Sequence, residues 1–149
     1  MEPKTSSRPV EAADRGDSPT AALAALKDPQ ARLSWLVEWA RRQPALPAEL
    51  RVDCHRVAGC QVRVWWIAEL RDGRCWFRTD SDAVTLKALA GFLGHYYNGR
   101  RPSEIVTGPR SPLERLGLYR QLAESRQATL HRIEDQIHTW AGSLEARPD

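Results

Sequence analysis

The chain is poor in cysteine, in lysine and in long apolar runs. Its 149 residues include three cysteines, Cys54, Cys60 and Cys75. That odd number, at no framework spacing, excludes a secreted scaffold held by bridges and suits a reducing compartment. There is no Cys-x-x-Cys pair, the commonest half of a structural zinc site. No apolar stretch is long enough to span a bilayer. The first residues also lack the charged-then-apolar pattern of a secretory signal. The expectation is a soluble, cytoplasmic protein with no membrane partner. Lysine occurs only at Lys4, Lys27 and Lys87, and the other cations are arginines. The net charge of +3 is mild and spread along the chain. Nucleic-acid binders concentrate their cations on one face, so no nucleic-acid partner is expected.

What is present is enough for a core. Hydrophobic residues make up 42% of the chain, and this length suits one domain. Residues 1–19 hold Pro, Ser, Gly and both charge signs with almost no large apolar group, a composition that predicts a disordered tail. Residues 20–149 are read as the domain. Thr20 to Lys27 is Ala-rich and predicts a weak helical turn or two. Asp28-Pro29 opens a clearer helix, with the acid as N-cap and the proline at the first helical position. Leu33, Leu36, Val37 and Ala40 form its buried stripe, and Pro44 and Pro47 end it.

Cys54–Gly59 is expected as a short first strand and Gln61–Arg71 as the principal one. Val62, Val64, Trp66, Ala68 and Leu70 alternate onto one face of that strand. Asp72-Gly73 is a type I′ hairpin signal. It sets Arg71 opposite Arg74, Leu70 opposite Cys75, Ala68 opposite Phe77 and Trp66 opposite Thr79. Asp80-Ser81-Asp82-Ala83 ends the sheet and is expected to cap a helix running to about Tyr97. Gly91 and Gly94 inside that helix signal close approach of another backbone or space beside it. Shorter helical pieces are expected from Ser103 and, through a Ser111–Glu114 capping box, from Ser111. A last helix begins near Ser125 with a seam of Leu130, Ile133, Ile137, Trp140 and Leu144. Strands cluster centrally and helices flank them, which predicts an α+β fold: a small three-stranded antiparallel sheet with helices on one face.

The register separates the thiols. Cys75 falls on the apolar face beside Leu70 and reads as an inert core thiol. Cys60 follows Gly59 on a tight connection between strands, where a sulfur is presented rather than packed. His55, Arg56 and Arg63 are the nearest groups that would favour its thiolate. Cys54 is a secondary candidate, a neighbouring thiol able to resolve or oxidise.

Val57-Ala58-Gly59-Cys60-Gln61, Val64-Trp65 and Asp80-Ser81-Asp82-Ala83, at their observed spacing, resemble the SufE family of sulfur acceptors. Pro44-Ala45-Leu46-Pro47 upstream and Ser125-Arg126 downstream extend the resemblance over roughly residues 29–141. Val62 stands where the family usually has Ser, and Glu124 where it has Pro. The resemblance implies a SufE/IscU-like fold and a sulfur-transfer accessory protein rather than a stand-alone enzyme. Cys60 would accept persulfide sulfur from a cysteine desulfurase of the SufS or CsdA kind and stimulate it. The sulfur would pass to iron–sulfur cluster assembly or a related pathway, through a cluster scaffold or another acceptor. No metal and no cofactor is implied beyond a transient cysteine persulfide, since the pyridoxal phosphate belongs to the partner. Gly59, Gln61, Asp82 and Arg126 map to the partner-binding surface. Taken by themselves, Asp82 reads as a helix-capping acid and Arg126 as one member of a salt bridge.

Two other readings carry weight. One is a metal-binding or iron–sulfur scaffold module using Cys54, Cys60 and Cys75. It needs three thiols at one site, and Cys75 is misplaced for that. The other is a nucleic-acid face made of Trp65, Trp76, Arg63, Arg74 and Arg78, which interleave on the second face of the hairpin.

Overall fold

The structure, a computed structural model, describes residues 19–58 and 61–145. The expected tail, residues 1–18, lies outside the described residues, and so do Gly59 and Cys60. Pro19, the last residue of that expected tail, opens the first helix and is buried.

Helix α1 (Pro19–Ala25) leads into α2 (Pro29–Arg41). The start of α2 follows the sequence reading. Asp28 is its N-cap, and the Ala31 N–H donates to Asp28 Oδ2 at 3.0 Å. Such a cap is worth about 1 kcal/mol. Leu36, Trp39 and Ala40 are its buried residues.

Strands β1 (Val64–Arg71) and β2 (Arg74–Ser81) form the hairpin. Its register is the one the turn demands: Arg71 opposite Arg74, Leu70 opposite Cys75, Ala68 opposite Phe77, Trp66 opposite Thr79. Asp72 and Gly73 both take positive φ, 55° and 78°, as a type I′ turn requires. Leu70 lies on the apolar face as expected but is 46% exposed, because the hairpin tip runs past the helices that cover its base.

Among the described residues the sheet has two strands, not three. The expected strand from Cys54 becomes a 3-10 turn over Asp53–His55 followed by a single bridge from Arg56 to Trp65. The physical reason is local. The His55 and Arg56 N–H groups bond back to the Val52 and Asp53 carbonyls, so that backbone is not free to extend the ladder. β1 also starts three residues later than expected, at Val64, because residues 61–63 leave the sheet.

Helix α3 (Val84–Tyr97) packs against β2 and α2. Its glycines record close approach. A Cβ on Gly91 would meet the Trp39 ring at 3.3 Å, and one on Gly94 would meet the Phe77 Cβ at 3.5 Å. Short helices α4 (Pro102–Thr107) and α5 (Pro112–Arg115) follow, then the long α6 (Glu124–Glu145). Leu130, Ile133, Ile137 and Ala141 of α6 are buried, and Trp140 meets Phe77 edge-on at 5.5 Å.

The capping box expected at Ser111 does not form. Ser111 is left-handed, φ 60°, and makes no side-chain cap. Its N–H instead donates to Glu134 Oε2 at 2.7 Å, and the Tyr97 hydroxyl donates to the same oxygen at 2.5 Å. Glu134 is a buried acid on the apolar side of α6. It ties α3, the start of α5 and α6 together through satisfied polar bonds.

Candidate functional site

Valines hold both ends of the cysteine-bearing stretch. Val57 and Val64 are each fully buried, and the Val57 N–H donates to the Val64 carbonyl at 2.8 Å. That pair brackets residues 58–63 in the sequence. Ala58 and Gln61 are exposed on either side of Gly59 and Cys60.

The return limb is pinned by the Asp-Ser-Asp-Ala motif. Ser81 Oγ donates to the Arg63 carbonyl at 2.8 Å, and the Asp82 N–H donates to the same oxygen at 3.2 Å. Arg63 Nε in turn donates to Asp82 Oδ2 at 2.7 Å. The Asp82 side chain therefore does not cap α3. Ala83 is the N-cap, without a side-chain cap bond, and the nearest hydroxyl, Ser81 Oγ, accepts from the Ala83 N–H at 3.2 Å. The expected cap gives way because Asp82 is turned toward Arg63, the last residue of the cysteine stretch.

Asp80 is the acid the sequence reading passed over. It is 3% exposed. Its Oδ2 accepts from the Leu46 N–H at 2.9 Å and its Oδ1 from the Ser81 N–H at 2.8 Å, with Lys87 Nζ at 4.0 Å. It thus fastens the Pro44–Pro47 connection to the base of the sheet. The signal was an acid opposite the inward Trp65 in the hairpin register.

The other expected groups are placed as follows. His55 Nδ1 contacts the Leu50 carbonyl at 2.9 Å, and Arg56 is half-buried at its bridge to Trp65. Of the cations expected near Cys60, Arg63 is the one fixed at the end of the stretch. Arg126 lies in the first turn of α6 and is half-buried, and among the described residues it takes part in no ion pair. The salt bridge expected for it is not formed there. Gly91 and Gly94 do border a groove, about 340 Å³, between the end of α2, residues 44–47, β2 and α3. It runs along the β2 side of the sheet, whereas Val57 pairs with β1.

Cys75 is fully buried in the core, and burial pushes its thiol up to about 11. Its thiolate is therefore scarce at neutral pH. Cys54 is a free, exposed thiol on the 3-10 turn. One thiol is enclosed and the other open to solvent, so the pair does not offer the shared surface that a three-thiol scaffold needs. Among the described residues no group of three His, Cys, Asp or Glu is arranged to hold a metal, and no helix is long and apolar enough to cross a membrane.

A helix-backed antiparallel hairpin of this kind, with a cysteine in the stretch that enters it, defines an α+β protein of the SufE type. The model of the SufE family, the Fe-S metabolism associated domain, matches residues 18–141. The chain belongs to that family. It is 31% identical over 114 residues to an uncharacterized SufE-like protein of Synechocystis sp., covering 76% of this chain and 72% of that one. It is also 31% identical over 106 residues to the sulfur acceptor protein CsdE of Escherichia coli, covering 68% and 71%. Among solved structures, a solution structure of a hypothetical protein from Thermus thermophilus superposes with a TM-score of 0.67 at 21% identity, over 85% of this chain and 93% of that one. That likeness shows the shared fold.

Proposed function

We propose that this protein accepts sulfur on Cys60 from a cysteine desulfurase and hands it on to iron–sulfur cluster assembly or a related sulfur pathway in the cytoplasm. The Cys60 thiolate attacks the outer sulfur of the persulfide on the partner's cysteine. A new S–S bond forms at Cys60, the partner's S–S bond breaks, and the partner's cysteine leaves as thiolate. No electrons are gained or lost overall, and this chain needs no cofactor of its own. By taking up the product, the reaction would also stimulate the desulfurase. Gly59, Gln61, Asp82 and Arg126 are proposed to meet the partner.

The single observation that supports this most is the contrast between thiols within a SufE-family chain. Cys75 is sealed in the core, while the stretch bearing Cys60 is tied down at both its ends by Val57–Val64 and Arg63–Asp82. Such ties present one segment to a docking protein without freeing the rest. The relative from Escherichia coli named as a sulfur acceptor supports the direction of transfer. The test is intact mass after incubation with cysteine and a cysteine desulfurase from the same organism. One added sulfur is expected on the Cys60 peptide, kept in Cys54→Ser and Cys75→Ser and lost in Cys60→Ser. A label that persists in Cys60→Ser would overturn the assignment.

A further inference from the structure

The hairpin has a second face that the 46–57 connection covers at its base, around Trp65 and Asp80, and that is exposed toward its tip. Alternation puts Trp65, Ile67, Glu69 and Arg71 on it from β1, and Arg74, Trp76, Arg78 and Asp80 from β2. At its base Trp65 is 2% exposed, with the Arg51 and Arg63 guanidinium groups 5.7 and 5.4 Å from its ring centroid. Toward the tip the Arg71 guanidinium lies 4.9 Å from the Trp76 centroid and pairs with Glu69. Arg74 donates to the Gly99 carbonyl and is exposed, as is Arg78. Among the described residues Arg51, Arg74 and Arg78 have no carboxylate partner. The face extends from Arg63, at the end of the cysteine stretch, to Arg71, roughly 25 Å at the strand rise.

We infer that this arginine face is the docking surface for a carboxylate-rich protein surface on the sulfur donor, one that borders the donor's persulfide; the inference rests on the sulfur-acceptor reading. Three observations favour that occupant. Five arginines, Arg51, Arg63, Arg71, Arg74 and Arg78, lie on or against this face and outnumber its carboxylates Glu69, Asp80 and Asp82. Arg51, Arg74 and Arg78, without a carboxylate of their own among the described residues, offer the planar fork that matches carboxylates. The face is also continuous with the cysteine stretch through Arg63, so a partner seated on it lies beside that stretch. The packing of arginines on the indoles argues against nucleic acid. Trp65 is buried beneath its two arginines, Arg71 stacks on Trp76, and Glu69 stands in the middle, so no open aromatic platform remains for bases.

The test uses the full chain and the desulfurase. Sulfur transfer to Cys60 is followed by intact mass, and KM is measured for this protein as acceptor. In Arg74→Glu/Arg78→Glu, both exposed sites, KM is expected to rise about tenfold or more at 50 mM NaCl with kcat little changed. The difference should shrink to about twofold at 500 mM NaCl, where screening shortens the reach of charge. The rate at which Cys60 takes sulfur from glutathione persulfide, which needs no docking face, should stay at the wild-type value. A variant KM within twofold of wild type at low salt, or an equal loss with glutathione persulfide, overturns the inference. So does wild-type binding to poly-U tighter than to the desulfurase, abolished by the same substitutions. Wild-type protein that takes no sulfur from the desulfurase overturns the acceptor reading and this inference with it. Wild-type transfer with an unmoved KM overturns the inference alone.

Discussion

Two carboxylates two residues apart should behave very differently when removed. Asp80→Ala strips the acceptor from the buried Leu46 N–H, a bond of 2.9 Å to a charged group. Bonds of that kind contribute about 1.5–3 kcal/mol, and an orphaned buried donor costs about as much. The Ser81 N–H, half-buried and reachable by water, adds about 1 kcal/mol or less. Lys87, at 4.0 Å with its side chain 20% exposed, adds a few tenths. The expected loss is about 3–4 kcal/mol, a large part of the 5–15 kcal/mol typical of a domain, and it lowers Tm by roughly 10 °C. Asp82→Ala breaks the pair with Arg63, but those side chains are 40% and 56% exposed, so the cost is below about 1 kcal/mol. The bonds from Ser81 Oγ and the Asp82 N–H to the Arg63 carbonyl do not need the carboxylate. Urea unfolding at pH 7, followed by tryptophan fluorescence with m-values compared, separates the two. Asp80→Ala within 1 kcal/mol of wild type, or Asp82→Ala as damaging as Asp80→Ala, would refute the assignment of the structural role to Asp80.

Two further predictions concern packing. Cys75, raised to about 11 by burial against an ordinary value near 9, stabilises the fold fully below pH 9. As pH rises from 9 to 11 the unfolded chain gives up that proton first, so the contribution is lost, about 2–3 kcal/mol in all. Unfolding midpoints measured from pH 8 to 11 should fall in wild type and fall less steeply in Cys75→Ala; parallel curves would show that Cys75 is not the group responsible. Gly94→Ala meets only ordinary contact distances, 3.5 Å or more, so helix propensity should make it neutral or stabilising by up to about 1 kcal/mol. Gly91→Ala, facing the Trp39 ring at 3.3 Å, should gain less; thermal unfolding of the two variants checks the order.

The hairpin was legible because its turn is local. Asp72-Gly73 permits one kind of turn, and a two-residue turn dictates every cross-strand pair, which placed Cys75 on the apolar face. Asp28-Pro29 and the α6 seam were legible for the same reason, since caps and periodicity act within a few residues. The capping box at Ser111 failed because its backbone met a distant buried acid, Glu134, which no local pattern announces. The expected first strand failed because residues 53–56 bonded back on themselves rather than across to β1.

What the sequence determined by itself was the family pattern, the candidate Cys60 and the register that excludes Cys75. Each follows from residue types at short or turn-defined spacing. What only the tertiary structure decided was the division of labour in Asp80-Ser81-Asp82-Ala83: Asp80 turned inward to the Leu46 N–H, Asp82 turned outward to Arg63. Those partners lie 34 and 19 residues away along the chain. Which acid is buried depends on what the fold brings against each face of the strand, and that is a long-range fact.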